Sequence, residues 1–103
     1  MTGMTRRERI EVLVDAPLVP KLAALATEAG ITGHTLWRVT GGTGSGGIWT
    51  EDLLSGATAK SLFLVIASAE RADRFIAALE PLLDSHQLIV MRSSVEVVRP
   101  ERF

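Results

Sequence analysis

Residues 30–61 read GITGHTLWRVTGGTGSGGIWTEDLLSGATAKS, and the order of signals in that stretch decides the fold. Thr35 to Thr40 has the extended character of a strand, and Lys60-Ser61 re-enters a second one. Between them, Gly41, Gly42, Gly44, Gly46 and Gly47 place five of the chain's nine glycines within seven residues. The connection from Gly41 to Ala59 is too long for a plain hairpin, and loops beyond about 12–15 residues in a compact domain are usually functional or disordered. It also carries Trp49, Leu53 and Leu54, which a solvated linker does not need, so the loop is expected to dock on something.

Working outward, Gly30 supplies the left-handed stop of a helix whose apolar stripe is Leu18, Leu22, Leu25 and Ala29. Asp15 is placed to cap that helix and Pro17 falls in its first turn, where a missing N–H does no harm. Before it, Arg9 to Val14 alternates, with Ile10, Val12 and Val14 on one face, which is strand periodicity. Residues 1–5 are expected to be a frayed, disordered tail. On the other side, Leu62 to Ala67 reads as a strand apolar on both faces. Ser68 then caps a second helix with the stripe Ala72, Phe75, Ile76, Leu79 and Leu83, which Pro81 is expected to truncate. A strand from Leu88 to Arg92 and a short extended segment, Val95 to Val98, close the chain.

The order βαβ-loop-βαβ is the split βαβ of an α+β, ferredoxin-like βαββαβ sandwich, with residues 1–103 as one domain and a mobile loop at 41–59. Two helices cover only one side of a four-stranded sheet. Because the third strand is apolar on both sides, the other side is expected to be buried as well, most simply by another copy of the chain.

Composition narrows the function. A net charge of −1 gives no sequence-independent grip on nucleic acid, and the absence of cysteine excludes disulfides and thiolate metal sites. The basic start lacks a signal peptide's apolar region, and no apolar run reaches membrane-spanning length, so a cytoplasmic protein without direct membrane insertion is expected. Gly42-Thr43-Gly44-Ser45-Gly46-Gly47 satisfies GxGxxG, but no helix opens after it and no acidic residue follows at the dinucleotide spacing. A slack hairpin tip is one reading of these glycines. The other is a backbone whose N–H groups converge on an anion without side-chain obstruction.

His34 and His86 have no partners at metal spacing; the plain readings are a partly buried polar residue and a turn residue. Ser85 beside His86 is not expected to form a working pair. Trp37 and Trp49 lack the interleaved cations of a single-strand binder. Lys60, Arg92, Arg99 and Arg102 are the cations that a phosphate site could recruit through charge-assisted hydrogen bonds.

Gly30-Ile31-Thr32-Gly33-His34-Thr35, then Val39 running into the glycine-rich start of a long loop, then Lys60 opening the third strand, together resemble the PII-like signalling family over nearly the whole chain. That resemblance implies a ferredoxin-like homotrimer with adenine nucleotides in the clefts between subunits. It implies a mobile T-loop read by a partner, commonly a transporter or an enzyme. It places Leu13 and Ile66 against the adenine, and Gly33, His34 and Thr35 at the turn that reads the base. By the same resemblance Gly41, Gly42, Thr43 and Gly44 are expected to line the nucleotide at the base of the loop, Lys60 and Arg99 to stand near the phosphates, and Arg102 to lie close to a second such cation but out of register.

The departures also carry information. There is no tyrosine for loop modification, and the 83–88 connection is too short for the phosphate loop of the nitrogen regulators. Ser45 stands where an arginine would help hold a triphosphate. The short loop and the C-terminal VVRPERF look more like the PII-like proteins of carboxysomes and bicarbonate uptake. This likeness implies ADP or AMP in preference to ATP, leaves ATP and cyclic AMP open as ligands, and adds bicarbonate as a candidate co-ligand. It implies a partner in carbon uptake or fixation, which Trp49, Leu53 and Leu54 would contact. Neither catalytic residues nor a metal site are expected. A sensor for another pathway, and a structural module without a small ligand, stay open. An acyl-phosphate hydrolase would need an asparagine, and the chain has none.

Overall fold

The computed structural model describes residues 3–50, 59–99 and 101. Its centre is β1 (Met4–Asp15), paired antiparallel to β5 (Lys60–Ala67) on one side and β6 (Ile89–Val98) on the other. β2 (Thr35–Arg38) pairs with the outer side of β5, giving the sheet order β2-β5-β1-β6 expected of the ferredoxin-like fold. The helices α1 (Val19–Glu28) and α2 (Ala69–Ser85) lie on one face. There Ile10, Val12 and Val14 of β1 meet Phe63, Val65 and Ala67 of β5, together with Leu22, Ala26, Ala72, Phe75 and Leu79. The alternation in β1 and β5 and the helical spacing in α1 and α2 thus converge on one core.

The opposite face carries Leu13, Leu62, Leu64 and Ile66, in register with Ile89 and Met91 of β6 and Trp37 of β2. No helix covers it. Ile89, Met91 and Trp37 are 53%, 51% and 44% exposed, so much of this face is exposed apolar surface, interrupted by the Arg9–Glu11 ion pair beside Leu64, Ile66 and Met91.

Several sequence expectations need correction. β1 begins at Met4, so Met4 and Thr5 are not a frayed tail; they pair with Val98 and Val97. The charged run Arg6 to Arg9 hides the strand's first half, because its partners are polar too: Glu8 accepts from Ser94 Oγ and Arg92 Nε, both at 2.7 Å. The same contacts carry β6 through Ser93-Ser94 as one strand rather than two segments.

Asp15 does not cap α1. It precedes a single 3₁₀ turn, Ala16–Leu18, makes no side-chain capping bond, and turns its carboxylate to Lys60 instead. Pro81 does not truncate α2, which continues to Ser85. The ring sits on the exposed side, where the carbonyl it leaves unbonded can take water. Leu83 is 37% exposed and Leu82 takes its place against the core. The first half of the long loop is a two-stranded ribbon, β3 (Gly41–Gly44) and β4 (Gly47–Thr50), turning at Ser45-Gly46. Leu53 and Leu54 lie outside the described residues, as does Arg102.

Candidate functional site

The site starts from the way α1 ends. Gly30, at φ +89°, donates its N–H to the Thr27 carbonyl (3.0 Å), and Ile31 donates to the Ala26 carbonyl (2.9 Å). That paired closure is a Schellman turn, with Ile31 buried as its apolar contact. The chain then crosses the outgoing end of β5 before it becomes a strand. β2 starts only at Thr35, opposite Leu64, whereas β5 runs on to Ala67 with partners only in β1. Beyond Leu64 the outer edge of β5 has no neighbouring strand among the described residues, which leaves its outward backbone donors and acceptors open there.

A cavity of about 240 Å³ fills this notch. Residues 30–35 form one wall and Leu64, Ile66 and Ala67 another, and Arg71 from the first turn of α2 completes it. The His34 ring stacks on Phe63 with centroids 4.6 Å apart and planes 18° from parallel. Phe63 is fully buried and in turn meets Phe75 at 6.1 Å, so the wall is anchored in the core. His34 itself is exposed rather than partly buried. A slot with Leu64, Ile66 and Ala67 on one side, polar groups on the other and an open strand edge is suited to a flat heteroaromatic ring: the apolar side chains contact its face and the edge reads donors and acceptors.

The base of the loop lies at the other end of the β2–β5 pair. There Lys60 Nζ donates to Asp15 Oδ1 at 2.5 Å, Val39 N–H to the Lys60 carbonyl at 3.2 Å, and Ala16 N–H to the Ala59 carbonyl at 2.7 Å. The ribbon rises from this knot, with Gly42 opposite Trp49. Arg99 is elsewhere: it follows Val98, which pairs with Met4, while Lys60 pairs with Asp15. Those two ends of β1 are eleven residues apart, roughly 36 Å along a strand. Arg99 is exposed, in the left-handed region at φ 66°, with Glu101 3.5 Å away.

One chain therefore brings together Gly33, His34, Thr35 and Ile66 of the anticipated site. Gly41 starts the ribbon near Lys60, and Gly42 to Ser45 run from there up to its turn; Leu13 lies on the uncovered face beside Leu62, and Arg99 stands apart. Arg71 and Leu64 were not anticipated. The available signal was topological: α2 starts two residues after β5, so its first turn must lie at the outgoing end of that strand.

Ser85 and His86 do meet, Oγ to Nδ1 at 2.8 Å, but in the open at the end of α2, where Ser85 Oγ also reaches the Pro81 carbonyl. Among the described residues no three His, Cys, Asp or Glu side chains are grouped to hold a metal. Hydrogen bonds from Ser94 and Arg92 hold the Glu8 carboxyl below its usual range, and Asp73 and Glu8 push Arg92 up. That network ties β1, β6 and α2 together on the helix side and belongs to the scaffold.

A small ferredoxin-like protein with a cavity at the sheet's edge and a projecting glycine-rich loop is the class that this fold and site define. Nitrogen regulatory protein P-II is the family whose description matches residues 7–102, and the chain belongs to it. No curated protein matches it in sequence. In fold it is similar to CPII, a nitrogen regulatory PII-like protein from Thiomonas intermedia K12 bound to ADP, AMP and bicarbonate. Identity is 19%, 100% of this chain and 98% of that one are covered, and the TM-score is 0.89. It is similar to a PII-like signaling protein of Thermus thermophilus, at 22% identity over 98% of each chain and TM-score 0.80. The GlnK–ATP complex of B. subtilis is more distant, at 14% identity over 92% of this chain and 84% of that one, with TM-score 0.62. Among the described residues no helix is long and apolar enough to cross a membrane.

Proposed function

We propose that this protein is a non-catalytic PII-like sensor that works as a homotrimer. In this reading it binds ADP or AMP in preference to ATP, together with bicarbonate, in the clefts between subunits. The notch where β5 outruns β2 carries the proposal, because it offers a base both an apolar wall and an unpaired strand edge. Two further observations support it. The uncovered face around Leu62, Leu64 and Met91 is the surface that other copies would bury. Arg99 lies too far from Lys60 in one subunit to share a phosphate with it, so a shared site needs a neighbour's arginine. The Thiomonas protein's ligands support the choice of nucleotide and bicarbonate.

Ligand held at the base of the loop shifts residues 41–59 between conformers of different affinity for a partner in inorganic-carbon uptake or carboxysome function. Trp49, Leu53 and Leu54 form the surface the partner contacts. Ser45 gives no cation for a third phosphate, which is the basis for the preference against ATP.

Calorimetry with AMP, ADP, ATP and cyclic AMP, with and without bicarbonate, tests the reading, alongside sedimentation for the trimer. The expected result is tightest binding for ADP or AMP, strengthened by bicarbonate. Binding by none of them at millimolar concentration removes the proposal. Nucleotide binding indifferent to bicarbonate removes only the link to carbon.

A further inference from the structure

Arg71 is the cation of the cavity, and its guanidinium makes no hydrogen bond or ion pair among the described residues; its backbone N–H donates to Ser68 Oγ at 3.3 Å. Arg74, one turn's face away on the same helix, is by contrast held by Glu70 at 2.6 Å and by the Ala29 carbonyl at 3.4 Å. The Arg71 stem runs along the bare side of Gly30. A Cβ there would stand 3.2 Å from its Nε, 3.5 Å from Cδ and 3.7 Å from Cγ. Glycine at position 30 thus serves twice, once for its positive φ and once as the surface on which this arginine lies.

The placement around the notch is two-sided. α2 sits on the helix-covered face, so Arg71 enters the cavity from that side, whereas Leu64 and Ile66 belong to the opposite face of the sheet. Between them runs the unpaired edge of β5, whose donors and acceptors lie in the plane of the sheet. A flat ring bonded to that edge lies in the same plane. One of its faces would then meet Leu64 and Ile66, and the other Arg71. A guanidinium is planar and stacks on aromatic faces, which a lysine ammonium does less well. The cation suited to the phosphates, Lys60, stands at the far end of β5.

Resting on the nucleotide reading above, we infer that Arg71 is a further ligand-binding residue that stacks on the purine base rather than contacting the phosphates. The test is calorimetry of the parent protein, Arg71→Ala and Arg71→Lys with adenosine, AMP and ADP, with thermal melts as folding controls. Arg71→Ala is expected to weaken all three by the same factor, about three- to thirtyfold, the span for a cation on a ring from exposed to desolvated sites. Arg71→Lys is expected to keep most of that deficit. A loss that grows from adenosine to ADP and is restored by lysine would place Arg71 on the phosphates and overturn the inference. So would unchanged affinity in Arg71→Ala. A parent protein that binds none of the three fails at the earlier step, the nucleotide reading, and takes this inference with it.

Discussion

The ribbon at the start of the long loop depends on glycine at one position above the others, and a single methyl group tests this. At Gly41 a Cβ would sit 2.6 Å from the Trp49 carbonyl oxygen and 3.2 Å from Thr50 Cα, both backbone atoms of the facing strand. Ordinary contact begins at 3.4 Å, so the first distance is short by about 0.8 Å. Backbone atoms cannot rotate away, so the strands must part or twist by that amount. Stretching an N–H···O bond of about 2.9 Å that far takes it beyond 3.5 Å, where little of it survives. A two-stranded ribbon is only marginally stable in water, and losing one rung opens it.

Gly44 is the matched control, because a Cβ there meets nothing within 4 Å. There Gly→Ala narrows the unfolded ensemble and is expected to favour the ribbon by about 0.4–1 kcal/mol. The two neighbouring glycines should thus respond with opposite sign. Trp37→Phe leaves Trp49 as the only tryptophan, and its emission reports the ribbon directly. In that background Gly41→Ala should shift Trp49 emission to the red and quench its near-ultraviolet circular dichroism, with the global melt unchanged because the ribbon lies outside the core. Gly44→Ala should leave the signal in place. Equal responses from the two variants, or none from Gly41→Ala, would refute the argument from steric contact.

Three other outcomes follow from the packing and charge. Phe63→Ala should destabilise the fold by about 3–5 kcal/mol in urea titration and, by removing the ring under His34, weaken ADP as well. The Glu8 carboxyl titrates below its ordinary value of 4.5 when folded, so it stabilises the protein above that value and loses its contribution as pH falls through the folded value. Glu8→Gln should therefore cost stability at neutral pH and converge with the parent in acid; a constant difference down to about pH 2–3, on the scale of native carboxylates, would contradict this. Arg99→Ala should weaken ADP about tenfold, the low end for a charged hydrogen bond, and leave adenosine unchanged. Equal ADP affinity would show that Arg99 is not at the phosphates.

What the sequence discloses here is what periodicity and special backbone angles carry. Ile10, Val12 and Val14 announce β1, Gly30 announces the end of α1, and Ser68 announces the start of α2, because each signal is local. The first half of β1 is hidden for the opposite reason. Arg6 to Arg9 look like solvated tail until Ser94 and Arg92 arrive from 84 to 86 residues away to satisfy Glu8. Pro81 misleads because its effect depends on which side of the helix it faces. The glycines of residues 41–47 look slack in isolation, and only the pairing of Gly42 with Trp49 shows that they form a ribbon. Arg71 is invisible in the same way: on a helical wheel it falls on the polar side of α2, and nothing in its neighbourhood along the chain connects it to Gly30.

The cavity itself is a mismatch of strand lengths, and this explains both its position and its silence in the sequence. If β2 began three residues earlier, residues 32–34 would pair with Val65, Ile66 and Ala67, and the notch would close into ordinary sheet. Ile31 prevents this. Its side chain is buried at 5% exposure and its N–H is spent on Ala26, so the chain is drawn down onto the core just where it would otherwise join β5. Only after His34 has stacked on Phe63 can pairing begin, at Thr35. Burial of one isoleucine and one aromatic stack thus hold open an edge that the backbone's own hydrogen bonding would otherwise seal. The energy that keeps the notch open comes from the core, and the donors and acceptors left unpaired there are what a ligand can use.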